Sequence, residues 1–252
     1  MLEAEIKRRK AKRDILLMTH IVLGYPSFDA CRRIVEQMVA AGVDLMELQI
    51  PFSEPYADGP VILHANQKAL AAGSTVDRCL ELAGELTREF PIPFIFMTYY
   101  NIAFVRGAAN FAREMREAGV RGAIIPDLPF EEGAELLGAM ANEKLEPIYL
   151  YAPNSADVRL EQIAKRASGF VYCVARKGVT GAQTDFAALD AYLARCRRST
   201  KLPLALGFGV KTRADVAAIT GKVEIAVVGT ETLRVIDDQG VEAVGPFIRS
   251  LR

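Results

Sequence analysis

The chain has 252 residues, 51% of them hydrophobic and 25% charged, a composition that excludes disorder as a description of the whole. Its 31 Lys and Arg balance 31 Asp and Glu, so there is no basic excess to favour nucleic acid or an anionic membrane, and a small molecule or another protein is the expected partner. Four cysteines without a CxxC pair, a charged start without an apolar signal core, no apolar run of membrane-spanning length and only two histidines together predict a cytoplasmic protein without a metal site.

Runs rich in β-branched residues predict strands near 16–23, 43–50, 93–100, 121–127, 147–152, 169–175, 203–207 and 225–229. Amphipathic stretches between them, among them 29–41, 110–118, 131–143 and 185–197, predict helices. The segment between the second and third strands is longer than the others and carries two helical patterns, 61–72 and 76–90. Each unit averages about 31 residues, the size of a strand–helix–strand step. The expected fold is therefore a (β/α)8 TIM barrel with an extra helix after strand two. A doubly wound sheet would want a glycine-rich loop after the first strand, where Leu23-Gly24-Tyr25-Pro26 stands instead. No linker or low-complexity tract divides the chain, so residues 1–252 are expected to form one catalytic domain.

In such a barrel the chemistry sits where the strands end. Alternation along the second strand puts Val43, Leu45, Glu47 and Gln49 on one face. If that face is the interior, Glu47 enters the cavity, where loss of hydration favours its neutral form and suits it to passing protons. A buried glutamate paired with an Arg or Lys is the equal alternative. The loop that follows carries Glu54 and Asp58. Asp58 before Gly59 reads alone as a turn residue, but its position after the Glu47 strand lets two carboxylates face one ligand.

Glycines cluster after three consecutive strands: Gly178 and Gly181, then Gly207 and Gly209, then Gly229 beside Thr230. Backbone amides at such loops and at a helix start can seat a phosphate without side-chain cations, although glycine also marks plain turns. Tyr99, Tyr100, Tyr172 and Phe208 fall near strand ends, either as the wall of a flat apolar pocket or as core. The sum suits a planar aromatic joined to a phosphorylated polyol.

The segment MELQIPFSEPYADGPVI at 46–62 resembles the signature of the tryptophan synthase α chain family. Further similar segments follow that family's order: LGYPS at 23–27, TYYN at 98–101, IPDLPFEE at 125–132, GFVYCVARKGVTG at 169–181, LGFGV at 206–210 and VVGT at 227–230. The resemblance implies retro-aldol cleavage of indole-3-glycerol phosphate to indole and glyceraldehyde 3-phosphate, with no cofactor on this chain. It assigns general acid–base work to Glu47 and the indole N–H to Asp58, with Thr180 orienting Asp58. Gly181, Gly209, Gly229 and Thr230 would hold the phosphate; Met97, Tyr99, Ile124, Tyr172 and Phe208 would line the rest. It also implies a β chain carrying pyridoxal phosphate in an α2β2 assembly, docked on the 52–60 loop, the turn near Asn101 and Asp127-Leu128-Pro129.

The chain departs from the family pattern at His20 (usually aromatic), Val22 (Thr), Gln49 (Gly), Glu54 (Asp) and Thr230-Glu231 (Ser-Ala). His20 is expected to be a satisfied core imidazole. Two other functions remain open on sequence: a Schiff-base sugar-phosphate aldolase using Lys177, and a subunit that mainly activates its β chain.

Overall fold

The computed structural model describes residues 1–175, 186–207 and 209–252. Thr180, Gly181, Phe208 and Lys177 lie outside them.

The strands are β1 (Leu16–Val22), β2 (Leu45–Gln49), β3 (Phe94–Met97), β4 (Gly122–Ile124), β5 (Glu146–Tyr151), β6 (Val171–Val174), β7 (Leu204–Gly207) and β8 (Ile225–Val228). Each runs parallel to its neighbours, and β8 pairs back to β1, so the sheet closes into the expected barrel. Both faces of a strand are covered in this architecture, which explains the near-continuous apolar runs in the sequence. Inward residues, among them Leu16, Met18, Leu45, Ile95, Ile148 and Phe170, fill the interior. Outward residues such as Leu17, Ile21, Met46, Leu48 and Phe96 pack in the outer core beneath the helices.

Twelve α-helices occur among the described residues, and α1 (Leu2–Lys10) precedes the barrel. Its charged composition hides a short apolar seam. Leu2 and Ile6, four residues apart and each 1% exposed, join the interior core and plug the base of the barrel. The Leu2 N–H donates to Glu146 Oε2 at 2.6 Å. The next helix, α2 (Phe28–Ala40), starts at Ser27, whose side chain accepts from the Ala30 N–H.

Two helices, α3 (Pro60–Ala71) and α4 (Val76–Glu89), separate β2 from β3, so the extra helix is present. Buried Asn66 ties α3 to the loop before it, accepting from the Phe52 N–H at 2.8 Å while donating to the Ile62 carbonyl. The remaining helices are α5 (Tyr100–Arg106), α6 (Ala108–Glu117), α7 (Ala134–Asn142), α8 (Asp157–Ala164), α9 (Phe186–Ser199), α10 (Arg213–Ile219), α11 (Thr230–Gln239) and α12 (Val244–Ser250).

The third strand is shorter than expected. It ends at Met97, because the Asp127 carboxylate accepts the Tyr100 N–H at 2.9 and 3.0 Å and starts α5 there. Val43 also departs from its expected face: it precedes β2, its N–H bonds the Met38 carbonyl at the end of α2, and its side chain joins the outer core. Cys31, Cys79, Cys173 and Cys196 are buried free thiols. Among the described residues no helix is long and apolar enough to cross a membrane.

Candidate active site

The inward face of β2 runs Leu45, Glu47, Gln49 from the barrel interior toward the mouth, and the cavity begins at Glu47. Glu47, Asp58, Met97, Ile124, Tyr172, Gly209, Gly229 and Thr230 all border it, together with His20, Ile62, Pro126 and Leu150. Its volume is about 180 Å³. No Lys or Arg is among its described lining residues, and no three His, Cys, Asp or Glu side chains among the described residues are placed to hold a metal.

Glu47 is 5% exposed and sits directly across from His20 of β1 in the strand register. Glu47 Oε1 lies 2.9 Å from His20 Nδ1. The alternative of a cationic partner thus takes the form of an imidazole, not an Arg or Lys. The bond leaves Glu47 Oε2 and His20 Nε2 both buried and without a partner. The expectation that His20 is a satisfied core residue is therefore corrected: one ring nitrogen is engaged and the other is not. Burial opposes a charged ring, but the carboxylates of Glu47 and Asp58 outweigh it and raise the His20 pKa.

Asp58 reaches the cavity from the loop, where its N–H also closes a turn on the Pro55 carbonyl at 2.9 Å, so the turn and ligand-facing readings coexist. Its Oδ2 accepts from Gln49 Nε2 at 2.7 Å and from Tyr99 Oη at 3.0 Å. Burial raises its pKa, against the lowering pull of His20 and these two donors. Tyr99 is fully buried and does not border the cavity. It is a brace under Asp58, accepting the Ala57 N–H at 3.1 Å and stacking on Phe52. Tyr100 likewise is no wall: it lies in α5, tilted against Phe104.

Tyr172 does border the cavity, and its phenol pKa is raised by burial and by the two carboxylates. It lies where a side chain on the next strand would be. A Cβ at Gly207 would come within 2.3 Å of Tyr172 Oη, so glycine there is a steric requirement. At another part of the rim, α11 begins at Gly229 with no side-chain cap, leaving its first N–H groups turned to an uncapped helix end. Gly209 approaches in a left-handed conformation, φ +85°.

A model of the tryptophan synthase alpha chain family matches residues 6–245. The chain belongs to that family. A tryptophan synthase alpha chain from Syntrophotalea carbinolica is 58% identical with complete coverage of both chains. A tryptophan synthase structure from Mycobacterium tuberculosis superposes with a TM-score of 0.93 at 29% identity, covering 99% of this chain and 96% of that one. A tryptophan synthase complex from Pyrococcus furiosus gives 0.85 at 27% identity, covering 94% and 97%. The activity of this chain is the family's lyase reaction, cleavage of indole-3-glycerol phosphate.

His20 and Gln49 were the side chains whose place at the site sequence reasoning undervalued. The signal was present as alternation: His20 continues Leu16 and Met18 on the inward face of β1, and Gln49 continues Leu45 and Glu47 on β2.

Proposed function

We propose that Glu47 is the acid–base group of the cleavage and Asp58 its electrostatic partner. The carrying observation is the buried, unpartnered Glu47 Oε2 beside a second carboxylate in one cavity. Glu47 takes the proton of the hydroxyl on the carbon joined to the indole ring and delivers a proton to indole C3. The carbon–carbon bond then breaks, its electron pair returns to the ring, and the oxygen becomes the aldehyde carbonyl of glyceraldehyde 3-phosphate. Positive charge develops at the ring nitrogen once C3 is protonated, and Asp58 accepts that N–H.

The phosphate lies on the uncapped start of α11, against Gly229, Thr230 and Gly209, where helix amides and dipole favour an anion. Met97, Ile124 and Tyr172 flank the organic part. Thr180, Gly181 and Phe208 complete this reading in the roles that the resemblance assigns them, Thr180 as the residue that orients Asp58. The barrel, residues 1–252, works as one catalytic domain and needs no cofactor of its own.

The partner in this reading is a tryptophan synthase β chain holding pyridoxal phosphate, in an α2β2 assembly. Exposed Tyr56 in the loop after β2, and exposed Phe104 and Val105 on α5 near Asn101, support docking around the segments singled out above. A cytoplasmic location fits the free thiols and the lack, among the described residues, of a helix able to span a membrane. The test is indole formation from indole-3-glycerol phosphate with and without a β chain. The isolated chain releases indole, the β chain raises the rate, and Glu47→Gln abolishes it; full turnover by Glu47→Gln would overturn the assignment.

A further inference from the structure

We propose that His20 is a positioning residue for the cleavage, an imidazolium that serves as the counter-charge of Glu47 and directs its free oxygen into the cavity. The inference rests on the reading of Glu47 as the acid–base group. Geometry carries it. The two residues are direct neighbours on parallel strands, 3% and 5% exposed, joined at 2.9 Å through Oε1 alone. That bond fixes the carboxyl so that Oε2 is the oxygen left for substrate.

The groups facing His20 set its charge. From β2 come Glu47 and the neutral amide of Gln49; from the following loop, Asp58; from β6, the phenol of Tyr172; from the turn between β8 and α11, uncharged Gly229. Lys and Arg are absent among the described residues bordering the cavity. Two acidic groups with no other cation among those residues repel each other in a water-poor space, and a protonated imidazole relieves the repulsion. Gln49 extends the arrangement. Its amide nitrogen is committed to Asp58, while its Oε1, like His20 Nε2, is buried without a partner. The side chains at 20 and 49 thus each serve one of the two carboxylates.

In catalysis Glu47 alternates between carboxylate and carboxylic acid. The Nδ1–H of His20 stabilises the carboxylate form each time it appears, and His20 itself need not transfer a proton to substrate. Once His20 loses its imidazolium proton that stabilisation weakens, so cleavage slows on the alkaline side at the midpoint of His20.

Only two histidines are present, so NMR can follow each ring; exposed His64 is identified with the His64→Gln variant. The His20 signal is expected to keep its protonated shift above pH 6.5 and to move to lower pH in Glu47→Gln. In parallel, kcat/KM for indole release is measured against pH. His20→Gln, which retains an amide donor without the charge, is expected to lose roughly ten- to hundredfold at neutral pH, the range of a hydrogen bond to a charged group, and to lose the alkaline limb. A purely structural role would lower the whole profile in parallel and keep that limb. A His20 midpoint below 6.5 in the native protein, or one unmoved by Glu47→Gln, overturns the proposal even if His20→Gln misfolds. Full activity of Glu47→Gln would instead defeat the reading of Glu47, a separate result from the NMR titration.

Discussion

Gln49 donates its side-chain amide to Asp58 Oδ2 at 2.7 Å, so the strand that carries one carboxylate of the cavity also holds the other. Asp58 comes from a loop, and its angle to the cavity depends on this bond and on Tyr99 beneath it. The bond ties the loop to β2 and makes Asp58 a fixed part of the site.

Removing that donor has a pH signature. Burial already raises the Asp58 pKa, and the Gln49 amide opposes the rise. Gln49→Ala lets it climb further, so Asp58 is protonated at higher pH and the acid limb of kcat/KM is expected to move up by roughly one unit. A pH–rate profile of indole release checks this; an unmoved acid limb contradicts it.

Asp58 also costs stability while ionised. Because its folded-state pKa is raised, the folded protein disfavours the charged form as pH rises through that value, whereas below the unfolded pKa both states are neutral. Asp58→Asn is expected to raise the urea midpoint at pH 7 but not at pH 3. The same change should cut cleavage by about a hundredfold or more. Paired urea titrations and indole assays test both signs.

Two glycines separate shape from binding. Gly207→Ala places a Cβ against Tyr172 Oη, so Tyr172 must shift and both kcat and stability fall by roughly 1–3 kcal/mol of strain. Gly229→Ala meets only His20 Cβ, at an ordinary 3.7 Å. It should leave the melting temperature nearly unchanged while raising KM for the phosphorylated substrate about tenfold. Steady-state kinetics with thermal melts distinguish the two.

At the other end of the barrel, Asp44 is 1% exposed and receives the Leu17 N–H at 2.9 Å, Arg252 Nη2 at 2.7 Å and Arg13 Nε at 3.2 Å. Asp44→Ala strands the buried Leu17 N–H, while the part-exposed Arg13 and Arg252 keep the Gly42 carbonyl and solvent, and is expected to cost about 2 kcal/mol. Activity per folded molecule should be unchanged, since none of these groups borders the cavity. Urea unfolding and active-site-normalised turnover check the prediction.

The barrel was legible because strands buried on both faces leave long apolar runs, and helices on one side leave a repeating seam. Strand two was the clearest case: its alternation gave the inward faces of Leu45, Glu47 and Gln49. Tyr99 was harder. Its position at a strand end suited a cavity wall, and nothing local announced that its hydroxyl would be taken by Asp58 from a separate loop. Tyr100 failed for a similar reason, since the residue that starts its helix, Asp127, is 27 positions away. His20 was expected to be a satisfied core imidazole, and a satisfied ring cannot be told from a half-satisfied one until the partner on β2 is in view. Composition hid α1, whose charges outnumber the two residues that matter to the barrel.

Leu2 and Ile6 make the barrel a cul-de-sac. With its floor stoppered by the opening helix, the cavity opens, among the described residues, at the doorway formed where the strands end. Whatever occupies that doorway controls the order of arrival and departure, and a mutation that loosens the stopper would change the traffic only by first unseating the floor.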